Sequence, residues 1–441
     1  MQEAHRESDA DIMTGNGPGP DGKTVRIAVV SIGDELLNGH TLNSNLLFIG
    51  AELDKGGFSI TAEQCVPDDD ERIAGAVTEA LHDNDAVITI GGLGPTSDDR
   101  TREAVTRVLG VQLRPDPAVQ KAISEYLAKR GITAVNVSRG KQALVPDNAD
   151  VIENGNGTAP GLWCTCTDGK VVIMLPGPPR ELKPMFTDRI LPRLQRLGSP
   201  DHASREMHVC GLPESLVADR VEKILDRFAN VAPAYCTRPD RLRLRLTARP
   251  ECMAELREAA VPIRAALGSA LLPPGCDSLA ATVGDLLCVR SWHLATAESC
   301  TGGGIGEALT DIPGASDWFA GGIIAYSNHL KEQLLGVHRT TLETHGAVSR
   351  EVAEEMVHGV TERCATEAGI SVTGIAGPSG GTAEKPVGLV FIGTVVGNSS
   401  KVERFVFPGS RDTVRKRTVA TALNQLRLQI TDLDSSERTN R

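Results

Sequence analysis

No basic stretch interrupts this chain of 441 residues: lysine and arginine number 46 against 57 acidic residues, a formal charge of −11. It therefore lacks the electrostatic footprint of a nucleic-acid-binding protein, and direct contact with DNA or an acidic membrane is not expected. It lacks an apolar run of 18 residues, the length at which a membrane-spanning helix is read. Its first residues, MQEAHRESDADIMTGNGPGPDGK, lack the apolar centre of a secretion signal and read as a disordered tail over 1–23. The ten cysteines are scattered without a Cys-x-x-Cys pair, only Cys164 and Cys166 standing one residue apart. A reducing cytoplasm fits that usage. The ten histidines show no His-x-x-x-His spacing, which argues against a zinc amidase.

What is present is too long for one core, so two large domains, or two plus a small one, are expected. From Thr24, TVRIAVVS has the β-branched character of a strand buried on both faces. A helix carrying Leu46, Ile49 and Leu53 follows and stops at Gly56 and Gly57; a helix over about 71–81 leads into DAVITIGG, and VVIML enters PGPP. Strands alternating with amphipathic helices predict parallel βαβ units and a three-layer α/β/α domain over 24–197. Residues 198–275 read as a small α+β connector. Its run RLRLRLTA alternates as a half-exposed antiparallel strand does, the arginines forming a solvated face or a binding surface. A second three-layer α/β domain is predicted over 276–441, with Ser349 and Ser410 at helix N-cap positions. No internal repeat relates the two large domains.

Three loops fall at predicted C-terminal strand ends, where ligands bind in open parallel sheets. They are SIGDELLNGHTLNSN, with Glu35 and Asn45; GGLGPTSDDRT, with Gly92, Gly94 and Thr96; and PGPPREL. Glycine lets a backbone approach a phosphate, and a strand-to-helix turn presents free N–H groups to it. Asp98 and Asp99 are placed to hold a divalent cation bridging phosphate oxygens, or to cap the helix that follows.

In the C-terminal half, TAESCTGGG puts Ser299, Thr301, Gly302 and Gly303 at another strand-to-helix turn, suited either to a nucleotide phosphate or ribose or to tight packing. The segment PGASDWFAGGIIAYSNHLK holds Ser316, Tyr326 and Lys331. A serine becomes a nucleophile when a base takes its proton, and a partly desolvated lysine is such a base. A nearby tyrosine relays protons or donates to a leaving group. The same three residue types also occur together on ordinary surfaces. Cys300 has no histidine motif beside it and reads as a buried small residue.

The motifs SIGDELLNG, GGLGPTSDDRT, GTAPG and LPGPPREL resemble the molybdopterin-binding-like domain at the N-terminus of the CinA (competence/damage-inducible protein A) family. AESCTGG, GASDWF, the YSN run with Lys331, HGAVS, VTGIAGPSGG and KPVG resemble that family's C-terminal nicotinamide-nucleotide amidase domain. The resemblance implies hydrolysis of nicotinamide mononucleotide by the C-terminal domain without a metal. It places Ser316 as nucleophile, Lys331 as general base and Tyr326 in proton transfer, and further site positions at Ser299, Thr373 and Arg411. Thr373, with Gly374 beside it, would supply an oxyanion hole; Arg411 would grip the phosphate; Ser299 is the second candidate nucleophile. For the N-terminal domain the resemblance implies cleavage of the ADP-ribose pyrophosphate with a divalent metal ion. The family commonly carries an aspartate two residues before the asparagine of the first loop, where this chain has Asn43 before Asn45. Related domains form homodimers. A pterin- or nucleotide-binding module, or a non-catalytic interaction protein in DNA uptake or repair, are the alternatives.

Overall fold

The computed structural model describes residues 23–132 and 138–439; all of the expected tail except Lys23 lies outside them. Of the described residues, 23–204 and 247–256 form one compact unit, and 205–246 and 257–439 form the other.

The N-terminal unit is built on a six-stranded sheet of β1 (Ile27–Ile32), β2 (Ile60–Val66), β3 (Ala86–Ile90), β4 (Ala149–Ile152), β5 (Gly161–Thr165) and β6 (Val171–Leu175). The order is β2-β1-β3-β6-β5-β4. Every β1 residue is buried. Ala28, Val30 and Ile32 enter the core on one face, and Ile27 and Val29 the core on the other. Helices therefore cover both faces, because a strand apolar on both sides has no solvated face to offer. Helix α1 (Ser44–Lys55) starts at Asn43, whose side chain accepts from the Leu46 N–H, and gives way at Gly56 to Gly57, which has φ +78°. Helix α2 (Asp70–Asp83) is capped by Asp69, and α3 (Thr101–Leu109) ends at left-handed Gly110. The four strands β2, β1, β3 and β6 are parallel, as expected. Strands β4 and β5, not anticipated, close the sheet in antiparallel fashion, and short links suffice there because no crossover helix is needed.

A three-stranded sheet follows, β7 (Ala203–Val209), β8 (Ala232–Thr237) and β9 (Leu242–Ala248), in the order β8-β9-β7. On β9 the leucines and the alanine are buried while Arg243 and Arg245 are half-exposed, the expected alternation. Within the C-terminal unit Arg427 donates to the carbonyls of Ser269 and Leu271, so residues 269–271 are tied to the last helix.

The second large sheet contains β10 (Leu294–Glu298), β11 (Phe319–Ile324), β12 (Ala368–Gly374), β13 (Leu389–Val396) and β14 (Ser399–Val406), ordered β11-β10-β12-β13-β14. Its helices include α4 (Gly304–Thr310), α5 (Asn328–Leu335), α6 (Arg350–Cys364) and α7 (Arg411–Thr439). Leu294 packs into one core, Ala295 and Ala297 into the other, giving three layers again. Only β11, β10 and β12 are parallel; β13 and β14, with no crossover helix between them, run antiparallel. Ser349 and Ser410 accept from the N–H groups of Val352 and Thr413, capping α6 and α7 as predicted. Glu298 lies level with Ile324 and Val372, so the segments leaving β10, β11 and β12 emerge together at one edge of the sheet.

Candidate active sites

The turn after β10 is shaped by the residue before it. Glu298 is almost fully buried, and its carboxylate accepts from the N–H groups of Gly303 (3.0 Å), Ile305 (3.1 Å) and Gly306 (2.9 Å). These are the N–H groups at the start of α4. The phosphate or ribose expected at this helix start is thus displaced by the protein's own carboxylate, a correction that follows from filling the positive end of a short helix internally. Gly302 and Gly303 take φ of +60° and +96°, the conformations the tight turn requires. The Ser299 N–H donates to Val372 O at 3.1 Å, which keeps the turn in line with β12. The N–H groups of Cys300 and Thr301, directly after Ser299, donate to no backbone carbonyl among the described residues.

Lys331 enters from α5, whose N-cap Ser327 accepts from the Leu330 N–H. At 1% exposure it is one of the most buried cations of the molecule. Its Nζ donates to Ser299 Oγ at 3.1 Å, to Ala325 O at 2.9 Å and to Tyr326 O at 3.2 Å. Burial lowers its pKa from the ordinary lysine value, the charged form being the one that loses hydration. Burial likewise pushes the Cys300 thiol up to about 11, so it stays neutral, in keeping with its reading as a packed small residue.

The expected pairing of Lys331 with Ser316 is not found. Ser316 lies exposed in the single turn Ala315–Asp317, and no hydrogen bond joins it to Lys331. The pairing that the resemblance implied is not made here, because β11 and the chain entering α5 carry Lys331 back toward β10, which it meets at Ser299. Tyr326 also departs from its expected part. The residue is 61% exposed, its carbonyl rather than its hydroxyl meets Lys331, and its hydroxyl accepts from Arg411 at 3.3 Å. Thr373 is buried, and its hydroxyl donates to Ala347 O at 2.7 Å, so that donor is committed to the fold; Gly374 continues the same strand. The N–H groups of Cys300 and Thr301, held by no backbone carbonyl among the described residues and the first of them touching only its own thiol, are better suited to an oxyanion. Arg411 stands at the start of α7, donating also to Gly377 O at 2.9 Å. Two residues not singled out from the sequence belong to this site. Glu298 lies inside the motif AESCTGG, and Arg415, four residues after Arg411 and so on the same helix face, donates to Thr301 O at 2.6 Å.

In the N-terminal unit the three predicted loops meet around a cavity of about 430 Å³ lined by Glu35, Asn45, Gly92, Gly94, Asp98 and Asp99, among others. The two aspartates have different tasks. Asp99 accepts from the Gly94 N–H at 2.7 Å and from the N–H and hydroxyl of Thr96, so it fastens its own loop. Asp98 is exposed at the cavity, its pKa lowered first by a hydrogen bond from Thr96. Asn43, in place of the common aspartate, caps α1 and donates from Nδ2 to Ser31 Oγ at 2.8 Å. Asn45 donates to Gly177 O at 2.6 Å, linking the first loop to the third, and its Oδ1 is buried without a partner among the described residues.

Two cavity residues were not read from the sequence. Burial raises the pKa of Asp68, and the carboxylates of Glu35, Asp34 and Asp98 raise it further. Burial also raises that of Glu181, which accepts from Asn154 at 2.8 Å. Crowded carboxylates of this kind suit a divalent cation, which would relieve their repulsion. Among the described residues, however, no three Asp, Glu, His or Cys side chains converge closely enough to hold one. The fit is therefore one of donor chemistry, with Asp98, Asp68 and Glu35 as the available ligands and Asp99 spent on its loop.

Fold and site together define an α/β protein of two units, one with a buried serine–lysine pair and one with an acidic crevice between glycine-rich loops. Three family descriptions match in sequence: "Probable molybdopterin binding domain" over 28–196, "Damage-inducible protein CinA KH domain" over 204–272 and "CinA C-terminal domain" over 276–430. A CinA-like protein of Gemmatimonas aurantiaca is 40% identical over 408 residues, 91% of this chain and 95% of that one. A protein of Moorella thermoacetica with a competence-damage inducible name is 40% identical over 399 residues, 89% and 95% of the two chains. The solved competence/damage inducible protein of Agrobacterium tumefaciens is 41% identical, covering 35% of this chain and 93% of its own, with a TM-score of 0.34. The chain belongs to the CinA family. Among the described residues no helix is long and apolar enough to cross a membrane.

Proposed function

We propose that the C-terminal unit hydrolyses the carboxamide of nicotinamide mononucleotide, giving nicotinate mononucleotide and ammonia, with Ser299 as nucleophile and Lys331 as general base. The observation that carries this reading is the 3.1 Å contact between Lys331 Nζ and Ser299 Oγ at a buried site. In the neutral form favoured by burial, the lysine amine takes the serine proton as Oγ attacks the amide carbon. The oxyanion faces the N–H groups of Cys300 and Thr301, donors fixed before the reaction begins. The tetrahedral intermediate then expels ammonia, the lysine returning its proton to the leaving nitrogen. Lys331 next deprotonates a water that attacks the acyl ester and restores the serine. Every proton is accounted for by one amine, and no step calls for a metal. Arg411 and Arg415, at the mouth of the turn, are the cations available to the substrate phosphate once Glu298 has closed the helix start.

Ammonia release from nicotinamide mononucleotide tests the assignment. Ser299→Ala should lower the rate by about a thousandfold or more, while Ser316→Ala should keep most of it. The reverse result would restore Ser316 as nucleophile, and full rate in both variants refutes serine catalysis.

The crowding of Asp68 by Glu35 and Asp98 supports a second activity in the N-terminal unit, cleavage of the ADP-ribose pyrophosphate with a divalent cation present. AMP and ribose 5-phosphate are the products to follow. Tight pterin binding without turnover of ADP-ribose would favour a binding module instead.

A further inference from the structure

Within the C-terminal unit a cavity of about 570 Å³, ample for a small ligand, lies between the loops of the three-stranded sheet and the face formed by β14 and α7. It shares no residue with the Ser299 turn. One wall is aromatic: Phe405 and Phe407 stack with ring centroids 5.5 Å apart and planes within 6°. Most of its charges are internally matched. Arg241 pairs with Asp240, Lys401 with Glu403 at 2.6 Å, and Glu214 accepts the Thr237 hydroxyl. Two guanidinium groups at this cavity, Arg238 and Arg417, have no carboxylate partner among the described residues. Deeper in, Asn424 is 8% exposed; its Oδ1 is held by Arg427, and its Nδ2 donates to nothing among the described residues. That nitrogen sits where a side chain at Gly211, 2.8 Å away, would cover it, and Gly211 takes φ +76°.

A stacked aromatic pair, an uncovered amide donor and two unpaired guanidiniums ask for a ligand with a ring to extend the stack, an acceptor on that ring and a dianionic group within reach. We infer that this cavity binds a mononucleotide, the base extending the Phe405–Phe407 stack with an acceptor atom toward Asn424 Nδ2, and the phosphate on Arg238 and Arg417. This site, the second for a nucleotide within the C-terminal unit, shares no residue with either candidate active site. It lies along α7, the helix whose first turns carry Arg411 and Arg415.

Calorimetric titration of the full chain with AMP, which has no amide to hydrolyse, tests the inference. Arg238→Ala and Arg417→Ala should each weaken one binding event about tenfold or more, and Phe405→Ala should weaken the same event. Ammonia release measured without AMP should be unchanged in all three, which also verifies folding; Arg238, on an exposed loop, is the safeguard if Arg417→Ala perturbs α7. Inorganic phosphate should bind far more weakly than AMP. The inference is overturned if AMP isotherms are the same in wild type and all three variants, or if phosphate binds there as tightly as AMP.

Discussion

In the proposed mechanism Lys331 shows, at the scale of one residue, a fold setting aside stability for chemistry. Its amine is held below the ordinary lysine range by burial, so the unfolded chain binds more protons than the folded one at pH values between the folded and unfolded pKa. Stability therefore rises with pH across that interval, and the buried amine is a net cost below it. Lys331→Met should abolish ammonia release and raise the melting temperature at neutral pH, with the gain shrinking as pH climbs toward the unfolded lysine pKa; an unchanged or lower melting temperature at neutral pH contradicts that account. The rate itself should fall on the acid side as the amine becomes protonated. That limb should lie below the pH at which an exposed lysine titrates, which a pH profile of kcat/KM reads directly.

At the scale of elements, the site depends on two junctions. Glu298 fastens the Ser299 turn to the start of α4 through three N–H groups. Glu298→Gln replaces one accepting oxygen with a donor, leaving a buried N–H unsatisfied at a cost of about 1–3 kcal/mol. We expect kcat to fall about tenfold or more with KM within about twofold, since the turn shifts while the phosphate contacts stay. A change confined to KM would instead place Glu298 in substrate binding. The other junction is the approach of α6 to α5, where a Cβ on Gly359 would lie 1.8 Å from the Leu335 carbonyl oxygen. Gly359→Ala must push α5 away, costing about 1–3 kcal/mol, and should lower both thermal stability and ammonia release because Lys331 rides on that helix. In the sequence, α5 was legible as the helix following the strand GGIIAYS, while its cap at Ser327 emerged only from the structure. The close packing of Gly359 was not, because a glycine in a helix looks the same whether it faces solvent or a neighbouring carbonyl.

On the scale of the whole molecule, the two units have separate cores, and the proposed function gives each its own chemistry. Asp68→Asn and Asp98→Asn should each reduce formation of AMP from ADP-ribose while leaving ammonia release at the wild-type rate. A parallel loss of both activities would mean that the units do not work independently.

Hydrophobic patterning was enough to read both three-layer domains, since burying a strand on two faces requires apolar residues throughout, and β1 and β6 have them. Turn chemistry was legible too: glycine runs marked the loops at strand ends, and Ser349 and Ser410 marked helix starts. Partners across the fold were not legible. Whether Lys331 meets Ser316 or Ser299, whether the start of α4 is open or filled by Glu298, and whether Asp99 faces a ligand or its own loop depend on which strand ends lie side by side. Register and crossover fix that choice, and a local run of residues holds no record of them.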